Sequence, residues 1–343
     1  MSAPSEKEQL GFLSNVQRVL AEGQFTATYK FALLMALADL SIELADDSGQ
    51  PLEIPSKAIA EKFIEYYWRQ ATPYEGSLLS QNTGKAAAVL RRIEESRDNV
   101  SGSLYVAKRD RAGWQRLVTA IDQTVRGMPL WKLQTLGSQR NDFFYRNEQG
   151  ARSITILPGV AYCFRKFHAI VSDLVQAGWV KYIRQHNKEE LGTSVDLHEF
   201  LFGTERSSLA AAGNILRDFQ KRECFYCRKP IRTGGEVDHF VPWTRYPLDL
   251  GHNFVLAHAG CNRSKSDTIA AQGHLENWVQ RNTERGRELS EVMQERRILC
   301  DWSSTRRIAR WAYSQTAEAR GLTWQQDKML VPLEVGWEEV FAW

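Results

Sequence analysis

The stretch that decides how this chain is read runs from Cys224 to Asp267. It contains Cys224-Phe225-Tyr226-Cys227, then Val237-Asp238-His239-Phe240-Val241-Pro242, then His252-Asn253. It closes with His258-Ala259-Gly260-Cys261-Asn262-Arg263-Ser264-Lys265-Ser266-Asp267. Cys224 and Cys227 form a Cys-x-x-Cys pair, and His258 and Cys261 form a His-x-x-Cys pair. Two close pairs of thiol and imidazole suit tetrahedral Zn²⁺. Positions i and i+3 share a helix face, so His258 and Cys261 can face one ion. The pairs are far apart in sequence, so one ion would staple the start of the segment to its end. A small irregular unit has little core of its own, and such a staple supplies folding free energy.

A second, harder site is expected between these pairs. Asp238 and Asn262 offer oxygen ligands. Few oxygen donors suit Mg²⁺ or Mn²⁺, which keep waters and accept phosphate oxygens. His239 stands beside Asp238. An imidazole with an unperturbed pKa near ~6.5 can take a proton from water at neutral pH. These groups suit in-line attack of water on a phosphodiester, with a divalent ion neutralising the developing charge. The expected products carry a 5′-phosphate and a 3′-hydroxyl.

On these residues the segment resembles the ββα-metal HNH endonuclease family with a zinc knuckle. The likeness lies in the Cys-x-x-Cys knuckle, Asp238-His239-Phe240-Val241-Pro242, the central Asn253, and Cys261-Asn262-Arg263-Ser264-Lys265. The run from Asn262 to Asp267 is also similar to the closing stretch of the HNH domain in RNA-guided DNA nucleases. The resemblance covers about 45 of the 343 residues. It implies His239 as general base, Asp238 and Asn262 as metal ligands, and Asn253 as the residue that pins the loop and orients the histidine. Many zinc-bearing members have a second Cys-x-x-Cys, where this chain has His258. His252 offers an alternative central residue, but Asn253 directly precedes the Phe254-Val255-Leu256 strand. Lys265, Arg263, Arg245 and Arg232 are the expected phosphate contacts, Lys265 foremost because it follows Asn262 by one helical turn.

The rest of the chain bounds this reading. Hydrophobic residues make up 43% and charged residues 25%, with mean hydropathy −0.42, which fits an ordinary soluble protein. Net charge is only +3. Between Arg217 and Asp267, however, nine Lys/Arg stand against six Asp/Glu, so the positive balance gathers in the motif segment. An odd count of five cysteines with a Cys-x-x-Cys pair argues for metal binding over a disulfide framework. Cys163 and Cys300 read as small buried hydrophobes. No apolar run reaches membrane length, and Met1 to Lys7 lacks a signal core, so a cytoplasmic protein without a membrane segment is expected.

The expected architecture is α+β. It comprises a mostly helical N-terminal domain over 1–205, an HNH unit over 206–268 and a helical extension over 269–343. Phe31, Leu34, Met35, Ala38 and Ile42 recur at helical spacing. Ser56 is placed to cap a helix carrying Ile59, Phe63, Tyr66 and Tyr67. Ala86, Val89, Leu90 and Ile93 mark another helix. Phe143–Tyr145 and Ser153–Leu157 suggest a hairpin. Phe167, Ile170, Val171 and Leu174 predict a helix that Gly178 would end. Gly84-Lys85 is not a phosphate loop: Leu79 stands where the first Gly belongs, and Ala86 replaces Ser/Thr. Leu209, Ala212, Leu216 and Phe219 predict a helix from about Ser207 to Lys221. Trp278, Trp302, Trp311 and Trp324 are expected in packing rather than base stacking.

A winged-helix-like reader is one use of small helices with a hairpin. No helix gathers Arg, Asn and Gln, however, so a scaffold or partner-docking domain is the preferred expectation. The function expected is a metal-dependent endonuclease acting on DNA, with a protein partner or a homodimer engaged through the N-terminal domain. Restriction or antiphage defence would suit that architecture. The competing readings are a non-catalytic zinc module that binds nucleic acid or protein, and a nuclease that cleaves RNA. The first should lack catalytic groups, yet Asp238, His239 and Asn262 are all present. For the second, no RNA-binding signature such as an aromatic RRM motif is found.

Overall fold

The computed structural model describes residues 3–23, 25–74, 76–82, 88–191, 196–203, 206–247 and 249–342, with backbone alone for 206–208. Gly84, Lys85 and Ala86 of the sequence reading lie outside the described residues. The class is α+β, with helices predominating and small antiparallel sheets. The chain divides into two compact units, Met1–Gly203 and Thr204–Trp343. No helix among the described residues is long and apolar enough to cross a membrane.

The first unit is built around one central helix. Helix α1 (Glu6–Glu22) starts with a reciprocal capping box between Ser5 and Glu8. Helix α2 (Tyr29–Leu44) has every residue from Lys30 to Ile42 buried. The five-residue apolar stripe in its sequence is therefore only part of its buried surface; a helix apolar on most sides sits inside a core. Strand β1 (Leu52–Pro55), helix α3 (Ser56–Gln70), helix α4 (Ala88–Asp98) and helix α5 (Arg111–Gly127) follow. Strands β2 (Tyr145–Arg146) and β3 (Ser153–Ile156) form the expected hairpin, Tyr145 opposite Ile156. Strand β1 adds to the other edge of β3 with Ile54 opposite Ile154, giving a three-stranded sheet. Helices α6 (Val160–Lys166) and α7 (His168–His186) complete the main elements.

Three local expectations are corrected here. Ser56 opens α3 but does not cap it: its Oγ donates to the Arg152 carbonyl at 3.0 Å, tying the helix start to the strand edge. Gly178 does not end α7, which continues to His186. A Cβ at Gly178 would stand 2.7 Å from Phe31 Cε1, so the glycine admits an aromatic ring against the helix backbone. The inner face of α7 is Val171, Val175, Trp179, Tyr182 and Ile183, whereas Ile170 and Leu174 are half exposed. The longer helix carries its apolar stripe through Trp179, and this rotates the earlier pair outward.

The second unit begins with α8 (Arg206–Phe219), whose Ala212, Leu216 and Phe219 are buried as expected. Strands β4 (Glu236–His239) and β5 (Phe254–Ala257) pair antiparallel, and α9 (Ala259–Lys265) follows directly. Helices α10 (Gln272–Glu295) and α11 (Trp302–Glu318) belong to this same unit. The C-terminal stretch is not wholly helical: β6 (Leu322–Gln326) and β7 (Met329–Pro332) form a hairpin that turns at Asp327 with φ 46°. Trp278, Trp311 and Trp324 are buried, while Trp302 is half buried. The Trp278 ring stacks on Phe240 at 4.7 Å with an 8° interplanar angle, fixing α10 beneath the turn that follows β4. Cys163 is buried as expected, but Cys300 is only partly so.

Phe31 is itself held between Phe25, at 4.2 Å between centroids, and Trp179, at 6.3 Å, so it has little room to yield to a larger residue 178. Gly178→Leu is expected to destabilise the first unit by about 1–3 kcal/mol through overpacking. Thermal unfolding followed by circular dichroism reads this as a lowered midpoint for that unit; an unchanged midpoint would mean the ring moves freely.

Candidate metal centre and the strand beside it

The Cys-x-x-Cys pair sits on a tight turn. The Arg228 N–H donates to the Cys224 carbonyl at 3.0 Å, and the Cys224 N–H to the Lys229 carbonyl at 3.0 Å. Arg228 closes the turn in the left-handed region, at φ 59°. His258 stands at the N-cap of α9, and Cys261 lies in its first turn. Cys224, Cys227, His258 and Cys261 present one ligand atom each, all within 4.8 Å of one another. This group could hold a metal ion such as zinc.

The surroundings suit a cation. The Cys227 Sγ lies 3.2 Å from His258 Nδ1, while His258 Nε2 donates to the Pro230 carbonyl at 3.2 Å. A ring nitrogen bonded to a carbonyl fixes the tautomer and leaves the other nitrogen for a metal. The His258 N–H donates to Cys224 Sγ at 3.3 Å. Burial opposes the Cys224 thiolate, yet backbone N–H groups of Cys227, His258 and Tyr226 outweigh it and lower the thiol pKa. Cys261 moves the other way: burial and the neighbouring Cys224 and Cys227 sulfurs push it up to about 12. Anionic sulfurs crowded together oppose one another's ionisation, and a divalent cation at their centre removes the conflict.

Tyr226, between the two knuckle cysteines, links this cluster to β4. Its hydroxyl donates to Asp238 Oδ2 at 2.5 Å, and Lys265 Nζ approaches the same oxygen at 3.0 Å. Lys265 also donates to the His239 carbonyl at 3.0 Å and is wholly buried. Burial lowers its pKa, against the opposing pull of Asp238. The expectation of Lys265 as a phosphate contact is therefore corrected. Its ammonium is spent inside the protein, bracing Asp238 and the end of β4. Arg232, Arg245 and Arg263 are exposed.

Alternation along β4 sorts the remaining groups. Glu236 and Asp238 share one face, over which α9 lies: Asn262 Nδ2 donates to Glu236 Oε2 at 2.9 Å, one helical turn before Lys265 meets Asp238. His239 falls on the other face. Its Nε2 is 2.7 Å from Asp249 Oδ1, and its ring packs edge-on against Phe254 with centroids 5.0 Å apart. The structure thus brings Asp238, Asn262 and Lys265 to one strand face, and it bonds His239 to a residue outside the motif.

Asn253 holds the turn after β4. Its Oδ1 accepts from the Val241 N–H at 2.8 Å, and its Nδ2 donates to the Val241 carbonyl at 3.0 Å. His252 points instead into the protein, with Nε2 3.1 Å from the Gly286 carbonyl, and burial lowers its pKa. Three residues at this site escaped the sequence reading: Tyr226, Glu236 and Asp249. Glu236 carried a usable signal, since it stands two residues before Asp238 in a strand. Tyr226 and Asp249 carried none beyond nearness to the motif.

Two outcomes follow. With zinc as the staple, Cys224→Ser, or stripping with a strong chelator, should melt the second unit rather than merely loosen it, because the binding free energy of a structural metal is folding free energy. Elemental analysis should find about one zinc per wild-type chain and per Cys163→Ala chain, falling well below one in Cys224→Ser. A Cys224→Ser chain that stays folded with full metal content would refute the staple. Asn253→Ala leaves two buried backbone groups of Val241 unpaired and should cost about 2–4 kcal/mol in denaturant titrations; a loss below about 1 kcal/mol would mean that the loop is held by other contacts.

No curated protein and no solved structure matches the chain. One family model does, over residues 9–201, which lie within the first unit and stop short of the Cys224–Asp267 segment. On that match the chain belongs to the family described as Domain of unknown function (DUF8808).

Proposed function

We propose that this chain is a divalent-metal-dependent endonuclease of the HNH type, acting on DNA through its second unit. The observation that carries the reading is the β4–loop–β5–α9 arrangement. Asp238 and His239 end one strand, Asn253 ties down the turn after it, and Asn262 leans over the Asp238 face from a helix whose start carries the zinc-type cluster.

The donor set fits a hard cation. Both bonds to Asp238 fall on Oδ2, and Asn262 uses Nδ2, so Asp238 Oδ1 and Asn262 Oδ1 are the atoms that would hold the ion. A bound Mg²⁺ or Mn²⁺ would stabilise charge on the phosphate and the leaving oxygen. The other tasks fall to the chain itself. His239 takes a proton from the attacking water. Lys265 and Tyr226 hold the Asp238 carboxylate, and Asn253 keeps the Val241 backbone, and with it the end of β4, in one place. Arg232, Arg245 and Arg263 are the exposed cations for the phosphate backbone.

One observation favours a second reading, a zinc-stabilised binding module without catalysis. Asp238 is only 8% exposed and is already ion-paired to a buried lysine, as a purely structural carboxylate would be.

Cleavage separates the two. Zinc-loaded full-length chain should nick supercoiled plasmid when Mg²⁺ or Mn²⁺ is added. His239→Ala should slow this by roughly 10²–10⁴-fold while the chain stays folded with unchanged zinc content. Wild-type chain that leaves plasmid, linear DNA and single-stranded DNA intact with either ion would end the DNA-nuclease reading, and cleavage confined to RNA would reassign the substrate.

A further inference from the structure

His239 reaches a carboxylate that no motif supplies. We infer that Asp249, bonded to the His239 ring across the β4–β5 loop, is the positioning residue that orients His239 for proton abstraction. This inference rests on the nuclease reading above.

The bond is short, Nε2 to Oδ1 at 2.7 Å, and both side chains are largely withdrawn from water, at 12% and 22% exposure. A bond to an ionised carboxylate in such a setting is stronger than one between neutral groups. An ionised carboxylate can only accept, so the shared proton belongs to Nε2 and the lone pair of the ring is on Nδ1. Asp249 thereby selects which nitrogen acts as base. Ring packing sets the plane: Phe254 meets His239 edge-on at 79°, and Trp243 flanks it with centroids 5.4 Å apart.

Asp249 can do this only if its own backbone is fixed, and the residues that follow it meet that condition. The Asn253 N–H donates to the Leu250 carbonyl at 2.8 Å, and the Gly251 N–H donates to the Leu299 carbonyl at 2.8 Å. Leu250 is buried, and a Cβ at Gly251 would stand 2.6 Å from Cys300 Sγ, so the chain just after Asp249 lies flush against the core. Asn253 anchors the turn on one side of His239, and Asp249 anchors the ring on the other. A histidine free to rotate would spend most of its time away from the attacking water, and proximity terms of this kind are large.

The test uses zinc-loaded full-length chain, supercoiled plasmid and Mg²⁺. Asp249→Leu should lower kcat roughly 10- to 100-fold with KM nearly unchanged, and Asp249→Glu should restore part of the loss. Proton NMR supplies a readout independent of turnover. A downfield, carboxylate-bonded imidazole N–H should appear in wild type and vanish in both Asp249→Leu and His239→Gln. If Asp249→Leu fails to fold, Asp249→Asn, with the same shape but no charge, is read for the same kcat loss at constant KM. Unchanged kcat, a rise in KM alone, or an N–H signal that survives Asp249→Leu overturns the positioning role while leaving the nuclease reading standing. Wild-type chain that cuts nothing removes both.

Discussion

Convergence of Cys224, Cys227, His258 and Cys261 is the constraint that brings together the two ends of the Cys224–Asp267 segment, around which the other contacts of β4 and α9 are arranged. The ligands come from the two ends of one segment, whose Phe240, Phe254 and Leu256 are themselves buried. The knuckle turn presents Tyr226 to Asp238, and the His258 end starts the helix that presents Asn262 and Lys265 to the same strand face. One cation held between the two ends would fix the separation of β4 and α9. Burial and crowding among the sulfurs push the Cys261 thiol up to about 12, and a divalent cation held there would favour its thiolate.

Both units contain buried ion pairs. In the second, Asp238 and Lys265 meet beneath α9. In the first, Lys62 lies between Glu43 at 2.6 Å and Glu65 at 3.3 Å, while Asp39 accepts from the Tyr66 hydroxyl at 2.6 Å and pairs with His168 at 2.7 Å. Such pairs contribute little net stability once desolvation is counted, but loss of one partner leaves an uncompensated charge in a poor solvent. They therefore tie α2, α3 and α7 to one arrangement more than they strengthen it. The packing around Gly178 works in the same direction, since the helix backbone approaches Phe31 more closely than any side chain would allow.

The α+β class and the metal-ligand group were legible in the sequence because both depend on local spacing. Cysteine pairs three apart, a strand ending in Asp-His and apolar residues at helical intervals are statements about near neighbours. The errors have a common form. Gly178 reads as a helix end because glycine often ends helices; here it answers to Phe31, far away in sequence. Lys265 reads as a phosphate contact because it follows Asn262 by one helical turn; here Asp238 and the His239 carbonyl draw it inside. The β6–β7 hairpin went unread because its four- and five-residue strands lie in a tail otherwise marked by tryptophan and helical spacing.

The sequence alone determined which atoms are available: three thiols and an imidazole for a soft ion, oxygen donors beside a histidine, and enough apolar periodicity for a helical first unit. Only the tertiary structure decided which of them meet. It gave Asp238 to Tyr226 and Lys265, Asn262 to Glu236, and His239 to Asp249. The reason is geometric. A strand sends successive side chains to opposite faces, so the identity of each partner depends on what the rest of the chain packs against that face, and neighbouring letters do not encode it.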